Sequence, residues 1–244
     1  MGISGYTTRP PEARLKEKVS AFTSVRMDKI RALQPDLIFA FSDLQKDIVR
    51  DLTQEGYHVF VTNQRSLEEV CEVILAVGRL LGLQDQAEVL REKFDGELDR
   101  LAKKASKFPR RLRVYFEEWD EPLISGIHWV GELIRKLGGE NIFEELEEGK
   151  IARERTVDPE EVIRRNPEMI LASWCGKKVQ VEKIKSRPGW NQIEAVAKNQ
   201  IYEIKSVDIL QPGLSLLEGA KQIYEIFQRI HEYSAVALPK IPLS

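Results

Sequence analysis

The sequence has little of what metal sites and disulfide scaffolds are built from. Its 244 residues include only 2 cysteines, Cys71 and Cys175, and 3 histidines. Two cysteines cannot form a disulfide framework or a cysteine-ligated zinc cage. His58, His128 and His231 are scattered and form no H-x-x-x-H ligand pair. These absences argue against a zinc enzyme and against a small disulfide-rich fold.

Long apolar runs and an excess of one charge are also missing. No stretch of about 18 apolar residues exists, so no membrane-spanning helix is expected. The 37 Lys and Arg residues nearly balance the 39 Asp and Glu residues, giving a formal net charge of -2. A nucleic-acid-binding protein usually has a basic excess, so no nucleic-acid partner is expected. The length fits one large domain or two smaller lobes.

The amino-terminal segment lacks the charged and apolar regions of a secretory signal, since it reads Met-Gly-Ile-Ser-Gly-Tyr. Three interpretations stay open. The protein is cytoplasmic, or it is a mature form without its signal, or its true start lies upstream.

Catalytic motifs are absent as well. Neither a G-x-S-x-G elbow nor a glycine-rich phosphate loop is present. Asp120 and Glu121 resemble a carboxylate pair, but a solvated acidic loop explains them better, and Cys175 has no histidine near it in the sequence. We therefore expect no catalytic residue, no cofactor and no structural metal.

Helical and strand patterns alternate in both halves of the chain. Strands are predicted at residues 37–41, 58–61, 113–116, 169–173 and 201–204, and helices at 25–33, 44–55, 66–81, 129–137, 159 onward and 214–230. The first ~25 residues look irregular. Residues 85–105 predict one helix, which either packs on a sheet face or joins two lobes. The fold class is therefore α/β, with two parallel-sheet lobes and a long helix between them.

One local pattern occurs in both halves. Gln34-Pro35-Asp36-Leu37-Ile38 and Asn166-Pro167-Glu168-Met169-Ile170 share the order polar, proline, acid, apolar, apolar. Each is predicted to follow a short helix and to begin a buried strand. Coincidence is one explanation, and two lobes of similar design is the more economical one.

Aromatic and polar residues follow the predicted strands. Ligands of parallel sheets gather at the carboxyl ends of strands, and Trp119 and Trp174 lie there, with Trp129 shortly after. Large amphipathic rings suit a bulky organic ligand. The alternative is that they fill the ends of the lobes as core residues.

Several strings resemble those of the ABC-importer substrate-binding proteins for vitamin B12 and ferric siderophores, in particular the cobalamin-binding branch. The resemblance extends from residue 2 to about residue 231, and its strings are VSAFT (19–23), FSDLQ (41–45), NQRS (63–66), EEWDEPLISG (117–126), SWCGKK (173–178), RPGW (187–190) and QPG (211–213). It implies a class III periplasmic-binding-protein architecture: an amino-terminal lobe over 1–83, a linking helix over 84–108 and a carboxyl-terminal lobe over 109–244.

The resemblance also implies a non-enzymatic function and a set of contacts. A corrinoid would bind between the lobes, and the ligand-binding candidates are Tyr6, Phe22, Thr23, Phe41, Ser42, Asn63, Arg65, Glu118, Trp119, His128, Trp129, Trp174 and Gln211. An ABC permease would be the partner, contacted through Glu160 and, on the first lobe, Asp47. A ferric siderophore or haem is the alternative ligand. Because Arg65 is the main arginine at a strand end, a neutral corrinoid is favoured over these anions.

Relative to the family, about one strand–helix unit of ~30 residues is expected to be missing before Gly2. Its absence would expose a sheet edge, which predicts a homodimer through the amino-terminal lobe. The family implies a periplasmic or otherwise extracytoplasmic location. The rival from another class is a cytoplasmic corrinoid-handling protein or an enzyme on the same scaffold.

Overall fold

The computed structural model describes residues 1–236. The last residues, which include Pro239 and Pro242 and which the sequence predicts to be a loose tail, lie outside the described residues. The chain is an α/β protein that divides into two compact units, residues 1–64 and the residues from Arg65 onward. The lobe boundaries expected from the family, at residues 83/84 and 108/109, stay a prediction. Along residues 1–236, no helix combines the length and the apolar character needed to cross a membrane.

The first unit contains two small sheets and two helices. Its elements are β1 (Gly2–Ser4), β2 (Glu17–Ala21), β3 (Ser24–Val25), α1 (Met27–Leu33), β4 (Ile38–Phe41), α2 (Lys46–Gln54) and β5 (Val59–Thr62). β1 pairs in parallel with β2, and β3 pairs antiparallel with β2. β4 and β5 form a separate parallel pair. The expectation that the first ~25 residues are irregular was wrong. The strands there are short and contain no buried residue, and their sequences show no apolar alternation.

β4 differs from its prediction in burial. Its apolar run predicted a strand buried on both faces, yet only Ala40 is buried and Phe39 is 48% exposed. β4 has one hydrogen-bonded neighbour, β5. A strand at the edge of a two-stranded sheet has little protein on either side of it, so an apolar sequence does not produce burial there. No observation on the described residues tests the dimer predicted for this unit.

The second unit is built on a five-stranded sheet. Its elements are α3 (Leu67–Leu81), α4 (Gln84–Ala105), β6 (Leu112–Asp120), β7 (Leu123–Ser125), α5 (His128–Lys136), β8 (Gly139–Asn141), α6 (Pro159–Arg165), β9 (Met169–Ala172), α7 (Val181–Lys185), α8 (Glu194–Ala197), β10 (Ile201–Glu203), α9 (Ser206–Ile209) and α10 (Leu216–Val236). The strand order is β10-β9-β6-β7, with β8 beside the first half of β6. All pairs are parallel except β6 with β7, so the sheet is mixed rather than purely parallel.

Both faces of this sheet are covered by apolar side chains. Successive side chains of a strand point to opposite faces. Accordingly Val114 and Phe116 of β6 belong to one apolar cluster, and Tyr115 belongs to the other. β9 alternates in the same way and is buried throughout. Burial on both faces is the expected state of a central strand between parallel neighbours.

The long helix begins and ends within one residue of its prediction. α4 has 22 residues, a length of about 33 Å. It packs along α3 and α10, with Phe94, Leu98 and Leu101 in the core. Leu90, one turn before Phe94 on the apolar face of the helix, is 39% exposed. A role as a linker between lobes stays a prediction.

Helix boundaries follow the capping residues read from the sequence. Ser66 Oγ accepts from the Glu69 amide at 3.1 Å, and the Glu69 carboxylate accepts from the Ser66 amide at 3.2 Å. This capping box begins α3, which ends at Gly82 with a φ of 68°. α6 begins in the predicted way as well, because Asp158 Oδ1 accepts from the Glu160 amide at 2.9 Å and Pro159 is the first helical residue.

Candidate ligand-binding surface

The second unit places a group of aromatic and charged side chains past the carboxyl end of its parallel strands. Glu117 of β6 lies opposite Ala172, the last residue of β9. β6 continues beyond this point and forms a hairpin with β7, which carries Trp119 and Asp120 past the parallel part of the sheet. Trp174 follows β9 by two residues. The strand-end sequences therefore do come together, as the parallel-sheet argument predicted.

Trp119 and Trp174 have different environments. Trp174 is fully buried, and its Nε1 donates to Glu117 Oε1 at 3.0 Å. Trp119 is only partly buried, and its Nε1 donates to the backbone oxygen of Glu121 at 3.0 Å. The hydrogen bond fixes the orientation of the Trp119 indole while part of the ring stays accessible. Trp119 is therefore the better placed of the two to contact a ligand.

The carboxylates of Glu117 and Glu118 are each paired with an arginine. Glu117 is fully buried, and its carboxylate accepts hydrogen bonds from both terminal guanidinium nitrogens of Arg187, at 2.6 and 2.9 Å. The Glu118 carboxylate accepts hydrogen bonds from both terminal guanidinium nitrogens of Arg155, at 2.6 and 3.0 Å. Bidentate pairs of this kind are geometrically specific and hold the loop ends in place. The ion pairs join parts of the chain that are far apart in sequence, so they also hold the hairpin against the following loops.

Asp120 is an anion held by two lysines. Lys177 Nζ lies 2.6 Å from Oδ1 and Lys183 Nζ lies 2.8 Å from Oδ2. Burial by itself would raise the pKa of Asp120, but the two ammonium groups outweigh it and hold the pKa below the ordinary value of 3.8. Asp120 is consequently ionised at neutral pH. It cannot serve as the general acid of a carboxylate pair.

Cys175 is exposed in the loop after β9. Partial desolvation of its thiol and the negative charge of Glu118 raise its pKa above the ordinary value of 9.0. The thiol is therefore protonated at neutral pH and is a weak nucleophile.

His128 and Trp129 begin helix α5. His128 Nδ1 lies 3.8 Å from a Glu147 oxygen, and its Nε2 lies 3.8 Å from a Glu132 oxygen. Trp129 is 2% exposed and donates from Nε1 to the Ile209 backbone oxygen at 2.8 Å. That geometry is typical of a core tryptophan, and ligand contact by its ring stays a prediction. Over residues 1–236, no cluster of His, Cys, Asp and Glu is suited to hold a metal ion.

Two further candidates lie at the edges of the second unit. Arg65 is partly buried next to the amino end of α3, where its amide donates to the Glu69 carboxylate and its backbone oxygen accepts from Trp129 at 3.1 Å. Gln211 is exposed in the loop before α10. For both residues, ligand contact stays a prediction.

The first unit holds its own group of candidates. Tyr6 and Phe22 are exposed, Phe41 is partly buried, and the rings of Phe22 and Phe41 lie 6.5 Å apart. Gln45 joins the segments, since it donates to the Phe22 backbone oxygen at 2.6 Å and accepts from the Phe41 amide at 2.9 Å. Ser42 is buried and caps the next turn. Thr23 and Asn63 are exposed. Exposed aromatic rings next to exposed polar residues suit an amphipathic ligand.

The two docking candidates differ in pairing. Glu160 is exposed in the first turn of α6, and no ion pair to its carboxylate is found among the described residues. Asp47 is exposed too, but its carboxylate accepts from Arg50 at 3.0 Å. Glu160 is thus the better placed to meet an arginine of a partner.

Sequence reasoning missed the cations that complete the surface. Lys177, Lys183, Arg155 and Arg187 were not among the candidates, although Lys177 lies in the SWCGKK string. Their carboxylate partners are between 37 and 70 positions away in the chain. No local pattern reveals pairs at such separations.

Comparison with known proteins identifies the family. A profile described as "Periplasmic binding protein" matches residues 1–207. The chain belongs to the periplasmic binding protein family.

Relatives in this family match nearly the whole chain. A vitamin B12-binding protein of Vibrio campbellii is 25% identical over 241 residues, which are 95% of this chain and 82% of that protein. Two solved structures share the fold at lower identity. The periplasmic vitamin B12 binding protein BtuF of Vibrio cholerae is 21% identical, with a TM-score of 0.71 over 95% of this chain and 88% of that one. IsdE of S. aureus, solved with heme, is 18% identical, with a TM-score of 0.76 over 93% and 90%.

These comparisons show a substrate-binding protein of the ABC-importer type. The similar periplasmic binding proteins bind solutes, which agrees with a chain that is not an enzyme, and they are extracytoplasmic. The two solved structures hold the fold in common although their names give different ligands. The fold therefore does not determine which solute this chain carries.

Proposed function

We propose that this chain binds a corrinoid outside the cytoplasm and delivers it to an ABC permease. The observation that carries the proposal is its similarity, over 95% of its length, to a protein named for vitamin B12 binding. The partly exposed Trp119 ring in the second unit and the exposed Tyr6 and Phe22 rings in the first unit support it. Large, partly apolar ligands are held mainly by such rings, with a few polar groups to orient them.

Titration with cyanocobalamin, followed by tryptophan fluorescence and by calorimetry, tests the proposal. We expect saturable binding with quenching, because Trp119 lies in the surface that would contact the ligand. Trp119→Ala should weaken binding by about tenfold or more, since removal of a central aromatic contact costs on the order of 2 kcal/mol. Tyr233→Ala is the matched control, because Tyr233 is 76% exposed on α10 and outside the site. No binding at high micromolar cyanocobalamin would refute the proposal.

Haem and ferric siderophores are the competing ligands. The same fold holds heme in IsdE, and the lysines Lys177 and Lys183 supply positive charge that the sequence alone did not suggest. Haemin and a ferric siderophore should therefore be titrated beside cyanocobalamin. If the ligand is a corrinoid, cyanocobalamin should bind tightest of the three. Tighter binding of haemin or of the siderophore would make that compound the proposed ligand instead.

Docking on the permease is proposed to use Glu160. Glu160 is exposed and has no ion-pair partner among residues 1–236, so its carboxylate is accessible to an arginine of another protein. With the cognate importer in liposomes, Glu160→Ala should reduce stimulation of ATP hydrolysis while cyanocobalamin affinity stays unchanged. Asp47→Ala should have a smaller effect, because the Asp47 carboxylate already has an ion-pair partner, Arg50, which it shares with Asp51.

A further inference from the structure

Lys177 has an unusual environment at the candidate surface. Its ammonium lies 4.2 Å from the centre of the Trp119 ring and 4.8 Å from the centre of the Trp174 ring. It also donates to Asp120, whose side chain is 1% exposed. Cation–π contacts and a buried carboxylate together fix the position of a side chain that is otherwise flexible. The charge is therefore held at one place over the Trp119 ring.

This ammonium is accessible as well as fixed. The Lys177 side chain is 39% exposed and that of Lys183 is 37% exposed. Lys183 shares Asp120 and also lies 2.7 Å from the largely exposed Glu121. Ammonium groups that keep this much exposure retain N–H donors for another acceptor, because each carries three.

The cations of this group stay accessible, whereas its inner acid does not. Glu117 and Glu118 are neutralised by their own arginines, Arg187 and Arg155. Asp120 and Glu121 balance Lys177 and Lys183 in number, but the Asp120 side chain is buried, so the accessible charges of these four residues are two ammonium groups and one carboxylate. A bound ligand would therefore meet two accessible ammonium groups next to an aromatic ring.

We propose that Lys177, supported by Lys183, binds an anionic group of the transported ligand. This rests on the corrinoid function proposed above. In cobalamin the anionic group is the phosphodiester of the nucleotide loop, so Lys177 would determine preference for corrinoids that carry this loop. A charge-assisted hydrogen bond between an ammonium and a phosphate oxygen is the contact expected.

A purely structural role for Lys177 predicts a different result. In that case Lys177 would only neutralise Asp120 and hold the Trp119 ring, and its removal would weaken every ligand that contacts Trp119. A comparison of two corrinoids separates the roles. Cyanocobalamin has the phosphodiester, whereas dicyanocobinamide lacks the nucleotide loop and its charge.

The experiment measures dissociation constants for both corrinoids by calorimetry. The proteins are the wild type, Lys177→Met, Lys177→Arg, Lys183→Met and the control Lys198→Met, in which Lys198 is exposed on the chain just after α8 and pairs with Glu194. Thermal unfolding of each variant establishes that it is folded. If Lys177→Met loses its native transition, Lys183→Met provides the same comparison.

We expect the wild type to prefer cyanocobalamin. Lys177→Met should weaken cyanocobalamin binding about tenfold and change dicyanocobinamide binding less than about twofold. Lys177→Arg should keep most of the preference, Lys183→Met should show the same selective loss to a smaller degree, and Lys198→Met should match the wild type.

Equal weakening of both corrinoids by Lys177→Met, or no change in either, would overturn the proposed phosphodiester contact while leaving the corrinoid function intact. Failure of the wild type to bind either corrinoid would overturn the corrinoid function and, with it, this contact.

Discussion

The segments 27–41 and 159–172 have the same local structure and different surroundings. Each runs from a short helix through a residue in the left-handed region into a strand, and both Gln34 and Asn166 have a φ of 45°. Their strands nevertheless differ. β9 lies between β6 and β10 and is buried at every residue, whereas β4 pairs with β5 in a two-stranded sheet and is mostly partly exposed. The comparison shows that a short pattern determines a turn, and that neighbours determine burial.

The largest difference between the two segments is expected in the stability lost when the equivalent isoleucine of each is replaced by alanine. Ile170 is fully buried in β9, and Ile38 at the same place in the pattern is only partly buried in β4. Ile170→Ala should lower the free energy of unfolding by about 2–5 kcal/mol through lost burial and a cavity, and Ile38→Ala by less than about half of that.

Urea unfolding measures this difference. All four tryptophans, Trp119, Trp129, Trp174 and Trp190, lie in the second unit, so their fluorescence reports on that unit and circular dichroism on both. Similar losses for the two variants would show that β4 is as well packed as β9.

An intermediate effect is expected for the matched acids. Glu168 accepts from Arg110 at 2.8 Å and from the Arg113 amide at 3.0 Å, whereas Asp36 is exposed. Glu168→Gln should cost on the order of 1–2 kcal/mol at pH 7. Asp36→Asn should change the free energy of unfolding by less than about 0.5 kcal/mol.

The effect of Glu168 depends on pH in a defined direction. Desolvation would raise the pKa of Glu168, but the bonds from Arg110 and Arg113 outweigh it and hold the pKa below 4.5. A carboxylate with a lowered pKa in the folded state stabilises above its unfolded pKa and loses this contribution as the pH falls through the folded value. The difference between wild type and Glu168→Gln should therefore shrink below about pH 4.5, as measured by unfolding at a series of pH values. A constant difference down to pH 3 would contradict the ion pair.

The smallest effects are expected at the left-handed residues themselves. Glycine adopts a positive φ without the steric cost that other residues have, so Gln34→Gly should stabilise by about 0.5 kcal/mol. Asn166 has a second role, since its Oδ1 accepts from the Glu194 amide at 2.8 Å. Asn166→Gly should therefore give no gain or a loss of about 1 kcal/mol. A gain of equal size at both sites, measured by thermal unfolding, would mean that the Asn166 side chain contributes nothing.

The parts of the fold predicted correctly are those with local causes. The capping box of Ser66 and Glu69, the Asp158–Pro159 helix start and the extent of α4 depend on residues within one or two turns. The strands β1 to β3 escaped prediction because they are short and contain no buried residue, which leaves no apolar alternation to detect. The ligand-binding surface was predicted only in part, because only some of its features depend on local sequence. The position of Trp119 after a strand was readable, and the cations around it were not.

The sequence by itself determined the α/β class, the caps and lengths of the main helices, the aromatic residues at the strand ends and the resemblance to a family that transports solutes. Each of these depends on residue order over a few positions or on a string that the family shares. Tertiary structure alone decided that Trp174 is core while Trp119 is accessible, that β4 stays partly exposed while β9 is buried, and that Lys177 lies between two indoles on a buried carboxylate. Those outcomes depend on which distant segments pack together, because burial and ion pairing are set by neighbours in space.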